Sequence, residues 1–171
     1  PVTSIKSYAQ LLQVRFKKEG NEKAAELLGK MDSQINKLIN LIGDLLDVTK
    51  IESGRLQFHE EFFYFDELVN EIVEQLQLTT SQHRIEIFGK TTKTVYGDMD
   101  RIGQVITNIL SNAIKYSPDA NKIIVNSSSN KDEVKICVQD FGIGIAKDKQ
   151  PRIFERFYRE PGTGQETFPG L

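Results

Sequence analysis

Residues 104–118 read QVITNILSNAIKYSP, a stretch with strong helical periodicity. On a helix at about 100° per residue, its apolar side chains cover one broad face. Asn108, Asn112 and Lys115 fall within about 60° of one another beside that face. Amide oxygens suit a hard cation such as Mg²⁺ and an ammonium suits phosphate, so the three residues form either a metal and phosphate site or a solvated polar stripe. The predicted apolar face comprises Ile102, Val105, Ile106, Ile109, Leu110, Ala113 and Ile114.

The composition is that of a globular protein with nearly balanced charge. The chain has 171 residues, 39% of them hydrophobic, with 22 basic and 24 acidic side chains. A core of useful size is therefore possible, and we expect no nucleic-acid partner. No apolar run approaches the 18 or so residues of a membrane span, so any membrane link would lie outside this chain. Cys137, the single cysteine, sits in the apolar run VKICVQD and is predicted to be a buried core thiol.

Two helices are predicted at the start of the chain, over residues 1–19 and 22–52. Apolar residues recur in three- and four-residue steps through both, and Ser53-Gly54 ends the second. The second helix is too long and too apolar to be covered by the first alone. We therefore expect a homodimer through residues 1–52, as an antiparallel four-helix bundle; the alternative is packing against the downstream part of the chain.

After Gly54 the sequence predicts a second domain of mixed helices and strands, which makes the fold class α+β. Asp66 is predicted to cap a helix that carries an apolar face. The other predicted elements are strands over residues 55–65, 84–88, 94–96, 123–127 and 134–139, the helix described above, a glycine loop over 140–145, a short helix over 151–158 and a polar, Gly/Pro-rich tail over 159–171.

Two further motifs follow the last predicted strand. Residues 140–145, DFGIGI, put a carboxylate at a strand end before two glycines; this suits hydrogen bonding to the exocyclic amino group of a flat base, and the alternative is a plain turn. A protein-kinase interpretation fails, because the chain has neither a glycine-rich loop near its start nor an H-R-D motif. Residues 153–159, IFERFYR, contain aromatic residues that are either core or anchors of a lid.

Taken together, these motifs resemble the signature boxes of sensor histidine kinases of two-component systems. NILSNAIKYSP, DFGIGI and FERFYR look like the N, G1 and F boxes, and the final PGL looks like the start of the next glycine box. PVTSIKSYAQLL resembles the stretch just after the phospho-accepting histidine, and DLLDVTKIESGRL resembles the end of the second dimerisation helix. The resemblance implies a dimerisation and phosphotransfer hairpin over residues 1–53, a two-layer ATP-binding α/β sandwich of the GHKL type over residues 54–171, and a cytoplasmic location.

The resemblance also implies a role for each residue of the central helix. Asn112 is the expected Mg²⁺ ligand, and Asn108 is expected to support the metal or the phosphates. Lys115 is expected to contact phosphate, and Tyr116 to lie along the nucleotide.

In the glycine loop, the resemblance implies that Asp140 accepts a hydrogen bond from the adenine amino group. Gly142 and Gly144 should shape the ATP pocket, with Ile145 also lining it. The residues expected to seat or begin the lid are Phe154, Phe157, Gly170 and Leu171.

One departure from the family is functional. The phosphoacceptor histidine lies a few residues before the family's proline, and this sequence begins at that proline. His59 and His83 are predicted to be strand-face or surface side chains and do not substitute for it. We therefore expect a fragment, cut at both ends, that does not phosphorylate itself. In the intact parent the γ-phosphoryl of ATP would pass to the histidine and then to an aspartate of a response-regulator receiver domain.

By analogy with the family, the regulator is expected to dock near Ser4, Ser7 and Tyr8. Two alternatives remain for the activity. A GHKL ATPase would use a glutamate where this chain has Asn108, because hydrolysis needs a carboxylate to activate water. A non-catalytic dimeric signalling module would need no functional ATP site.

Overall fold

The computed structural model describes residues 2–155 and residue 158. The chain divides into two compact units, the first ending at Gln57 and the second beginning at Phe58. Within the described part of the chain, every helix lacks the length or the apolar character that a membrane span needs.

The first unit is the predicted helical hairpin, which the structure confirms. Helix α1 covers Val2–Lys18 and helix α2 covers Glu22–Glu52. Gly20 makes the turn between them with φ +75°, a conformation that glycine adopts without steric cost. The Asn21 side chain then caps α2, because its Oδ1 accepts the N–H of Ala24 at 3.2 Å.

The second unit contains two small sheets and two long helices. Strands β1 and β3 pair antiparallel; in the other sheet, β4 pairs parallel with β2 and antiparallel with β5. The predicted α+β class is therefore confirmed. The elements are β1 (Glu60–Tyr64), α3 (Phe65–Gln77), β2 (Arg84–Phe88), β3 (Thr94–Asp98), α4 (Met99–Lys115), β4 (Lys122–Ser129), β5 (Val134–Gln139) and a 3₁₀ turn (Gln150–Arg152).

The core of this unit lies between the two helices and the larger sheet. Leu110 of α4 is completely buried, as are Ile123 and Val125, which alternate along β4. Gly103 of α4 faces α3, because a Cβ there would be in ordinary van der Waals contact with Leu68 Cδ1, at 3.4 Å. The other members of the core are Phe63, Phe65, Val69, Ile72, Val73, Ile85, Ile106 and Ala113.

The buried face of α4 is narrower than the apolar face that its sequence predicts. Val105 is 58% exposed and Ile109 is 45% exposed, so this part of the predicted apolar face is not covered by the core. The helix turns its Gly103, Ile106, Leu110 and Ala113 side towards the core, and Val105 and Ile109 stay on the side of the asparagines. Periodicity gives the apolar arc of a helix, but its neighbours determine which part of that arc is covered.

Local corrections concern helix and strand ends. Asp66 is not the cap of α3, because that helix begins at Phe65 with Tyr64 in the capping position. The predicted strand over residues 55–65 begins only at Glu60. In the described part of the predicted helix over residues 151–158, the structure has a three-residue 3₁₀ turn, Gln150–Arg152, where an α-helix was expected.

The prediction that Cys137 is buried is wrong, because its side chain is exposed. Side chains of β5 alternate between two faces, and the opposite face carries the partly buried Val134, Ile136 and Val138. The apolar run around the cysteine concealed this two-residue period.

Candidate functional site

The candidate site begins at the carboxyl-terminal end of α4. Asn108 and Asn112 lie one turn apart and both are exposed, whereas Lys115 and Tyr116 are partly buried. The Lys115 Nζ lies 5.0 Å from the centroid of the Tyr116 ring. The backbone N–H of Tyr116 closes the helix by donating to the Asn112 carbonyl at 2.9 Å. Two amides and an ammonium group are thus carried by the final two turns of a rigid helix.

The loop after β5 is fixed to this helix end by its backbone. Ile143 N–H donates to the Tyr116 carbonyl oxygen at 3.1 Å. Gly142 approaches so closely that an added Cβ would lie 1.9 Å from the same oxygen. The Asp140 carboxylate accepts the N–H of Gly142 at 3.0 Å, and Gly144 has φ +68°. The glycines therefore let the Asp140 loop and the end of α4 meet, a contact that the separate motifs in the sequence do not show.

Not every predicted site residue is brought to this contact. Ile145 is half exposed beyond Gly144, and Phe154 is 91% exposed. Phe157, Gly170 and Leu171 lie outside the described residues, so their expected lid roles stay predictions.

His83 lies behind the same helix end, and here the prediction of a surface side chain is wrong. It is only 5% exposed, and its Nε2 lies 2.8 Å from the carbonyl oxygen of Ser117. Gln82, its neighbour, donates from Nε2 to the carbonyls of Pro118 and Ala120. The polar sequence SQHR carries no burial signal, because its partners are backbone groups of a distant segment.

Two carboxylates outside the glycine loop, those of Asp98 and Asp66, bind backbone N–H groups of neighbouring segments. Hydrogen bonds from the backbone N–H groups of His59 and Arg101 lower the pKa of Asp98 below its ordinary value, against the opposing effect of burial. Asp98 thereby caps α4 and ties it to the start of β1. Burial would raise the pKa of Asp66, but hydrogen bonds from Thr92 and Thr91, together with nearby Lys90, lower it overall.

The donor set at the end of α4 fits an ion that is shared with phosphate. Within residues 2–155 and 158, no three His, Cys, Asp or Glu side chains cluster as a metal site. Mg²⁺ keeps several waters and takes its other oxygens from a carboxylate or amide and from phosphates. Exposed amides beside an ammonium group suit such an ion, and the Asp140 carboxylate suits an amino group.

The chain belongs to the histidine kinase family. Residues 1–54 match the His Kinase A (phospho-acceptor) domain, and residues 97–171 match the histidine kinase-, DNA gyrase B- and HSP90-like ATPases. The two matches, in this order, are those of a sensor histidine kinase core, as the sequence motifs predicted.

Among individual relatives, the sensor histidine kinase WalK of Bacillus subtilis (strain 168) is 32% identical over 163 residues. That alignment covers 93% of this chain and 26% of WalK, so the chain spans about a quarter of this relative.

Two solved structures show the same fold. Full-length ShkA in complex with AMPPNP has a TM-score of 0.65 at 20% identity, over 90% of this chain and 37% of that one. The histidine kinase ThkA, in complex with the response regulator protein TrrA, has a TM-score of 0.59 at 19% identity, over 92% of this chain and 49% of that one.

Proposed function

We propose that this chain is the kinase core of a sensor histidine kinase and binds Mg-ATP at the end of α4. In the whole protein it would direct the γ-phosphoryl group to a histidine, from which the group passes to an aspartate of a response regulator. The observation that carries the proposal is the contact of Gly142 and Ile143 with the Tyr116 carbonyl. It joins the Asp140 loop, whose carboxylate we assign to the base, to a helix end that carries amides and an ammonium group.

The phosphate end of the nucleotide is assigned to α4. Asn112 would ligate Mg²⁺, and Asn108 would support the ion or the phosphates, since both amides are exposed. Bound Mg²⁺ would supply charge neutralisation at the phosphates. Lys115 would orient the phosphates with its ammonium group, and Tyr116 would lie along the nucleotide. The protein's share of phosphoryl transfer is then mainly positioning and electrostatics.

The base end is assigned to the glycine loop. Asp140 would accept a hydrogen bond from the adenine amino group, while Gly142, Gly144 and Ile145 would line the pocket. The carboxylate is already held by the N–H of Gly142, which leaves its second oxygen available to the base. The lid is assigned to a set of residues that includes positions outside the described part of the chain, namely Phe154, Phe157, Gly170 and Leu171.

Hydrolysis by a gyrase-type ATPase is disfavoured by the residue at position 108. An amide does not accept a proton from water as a carboxylate does, so Asn108 lacks the chemistry of a general base. A kinase needs no such base for water, because its acceptor is a histidine.

We also assign dimerisation to residues 1–52. Large apolar side chains of the hairpin remain exposed, among them Met31, Leu38, Ile42 and Leu45 of α2. A second copy would cover this surface as a four-helix bundle. Sedimentation of the chain should give a dimer, and Leu45→Glu should shift it to a monomer; an unchanged dimer would contradict this interface.

A response regulator would dock near Ser4, Ser7 and Tyr8, which are exposed on α1. The proposed compartment is the cytoplasm, where ATP and a regulator are both present, with any membrane attachment through segments outside this chain. Tyr8→Ala should weaken binding of the cognate receiver domain, and Lys23→Ala on α2 provides an exposed control. Equal binding by both variants would remove this docking assignment.

The main test is titration of a fluorescent ATP analogue with and without Mg²⁺. Asn112→Ala and Asp140→Ala should each weaken binding about ten-fold or more, as expected for a lost charge-assisted contact. Asn112→Ala should also abolish the Mg²⁺ dependence, whereas Asp140→Ala should reduce the preference for adenine. Asn70→Ala, at an exposed position on α3, is the matched control. Tight binding that neither site variant changes would refute the assignments.

A further inference from the structure

The buried imidazole of His83 uses both of its ring nitrogens. Nε2 lies 2.8 Å from the Ser117 carbonyl oxygen, and Nδ1 lies 3.0 Å from Thr80 Oγ1. Because a carbonyl only accepts, Nε2 carries the hydrogen and the Thr80 hydroxyl donates to Nδ1. Thr80 Oγ1 also accepts the backbone N–H of His83 at 3.2 Å. The ring is therefore oriented before it reaches Ser117.

The loop that carries His83 is itself anchored to α3. Gln77 Nε2 donates to the His83 carbonyl at 2.8 Å, and Gln77 Oε1 accepts the N–H of Ile85 at 2.9 Å. The imidazole consequently projects from a fixed segment between α3 and β2. Its hydrogen bond can therefore restrain the Ser117 carbonyl.

Ser117 connects this anchored segment to the candidate site. Its side chain is completely buried, and its Oγ lies 2.7 Å from where a Cβ of Gly142 would be. Among the described residues, that hydroxyl has no hydrogen-bond partner, so it does not hold the turn itself. His83 bonds the Ser117 carbonyl, one residue beyond the Tyr116 carbonyl that receives Ile143. The same Ser117 carbonyl also accepts the N–H of Ala120 at 3.1 Å, and Gln82 bonds the next part of the segment through the carbonyls of Pro118 and Ala120.

We propose that His83 is a positioning residue for the nucleotide site. Its bond to the Ser117 carbonyl holds the turn at residues 116–117 in place. The glycine loop docks on the Tyr116 carbonyl of the same turn, and a fixed turn therefore keeps the distance between the Lys115 and Asp140 side chains constant. The inference rests on the proposed nucleotide site and adds a residue from outside its motifs. His83 is not catalytic, since its ring bonds Thr80 and Ser117 rather than any group assigned to the nucleotide.

The test compares two amides that replace different ring nitrogens. In His83→Gln the amide nitrogen falls near the Nε2 position, whereas in His83→Asn it falls near Nδ1 and cannot reach Ser117. With ADP and Mg²⁺ as the probe, His83→Asn should bind about five-fold more weakly, as expected for one lost hydrogen bond, and His83→Gln should bind almost as wild type. Thr80→Val removes the hydroxyl that orients the imidazole but leaves the imidazole in place. This variant should lose less affinity for ADP than His83→Asn.

Hydrogen exchange supplies a readout that a general loss of stability would not reproduce. The Ile143 amide should exchange faster in His83→Asn than in the wild type, while the Val125 amide in the core strand β4 keeps its protection. In His83→Gln the Ile143 amide should exchange at the wild-type rate. Equal Ile143 exchange in the wild type and His83→Asn, or a parallel loss at Val125, would overturn the inference. If the wild type binds no ADP, the proposed function fails, yet the exchange comparison still tests His83.

Discussion

Replacing Gly142 by alanine tests the contact between the glycine loop and the end of α4. The added Cβ would lie 1.9 Å from the Tyr116 carbonyl oxygen, 2.7 Å from its carbonyl carbon and 2.7 Å from Ser117 Oγ. Two of these atoms are backbone, so no side-chain rotation relieves the clash. The loop must move away by about 1 Å or more, and the Ile143–Tyr116 hydrogen bond must lengthen or break.

The expected loss of stability is the sum of the steric clash and the lost hydrogen bond. Overpacking against a fixed neighbour costs about 1–3 kcal/mol, and the lost hydrogen bond adds about 1 kcal/mol. A free energy of unfolding lower by about 2–4 kcal/mol corresponds to a fall in Tm of about 8 °C or more for a domain near 100 residues. Nucleotide binding should weaken at least ten-fold, because Asp140 moves with the loop.

Gly144→Ala is the matched control, in the same loop. It has φ +68° but open space where its Cβ would be, so only the left-handed backbone is penalised, by about 1–2 kcal/mol. Differential scanning calorimetry and titration of a fluorescent ATP analogue should separate the variants, with Gly142→Ala the more damaging in both. Wild-type affinity and Tm in Gly142→Ala would refute the reasoning.

Further predictions concern the framework. Since the folded pKa of Asp66 is lowered, its stabilising effect is complete above about pH 4 and is lost as the pH falls through that folded pKa; urea unfolding should show a weaker acid loss in Asp66→Asn, and parallel curves would contradict this. Leu110→Ala should cost about 2–5 kcal/mol, against less than about 1 kcal/mol for Val105→Ala; equal costs in chemical denaturation would mean that Val105 is core. The exposed Cys137 should react fully with a thiol reagent in native protein, and reaction only after unfolding would argue for burial.

Much of the fold could be predicted because periodicity reports local structure. The bounds of α2 at Glu22 and Glu52 follow from the glycine turns on either side, and the strand Arg84–Phe88 follows from alternation. The motifs of α4 and of the glycine loop likewise indicated the family before any contact was known. Errors arose where a pattern had more than one tertiary solution: Asp66 binds the backbone of Thr91 and Thr92 instead of capping its own helix.

The sequence by itself determined the helical hairpin, the α+β class, the family and the chemical groups offered to a nucleotide, since these depend on residue types and on spacing along the chain. Only the tertiary structure decided that His83 is buried, that Val105 is exposed, and that Gly142 rests on the Tyr116 carbonyl. Each of these depends on which groups distant in the sequence are neighbours in the folded chain. The packing of α3, α4 and the sheet determines those neighbours, and no local period along the chain encodes them.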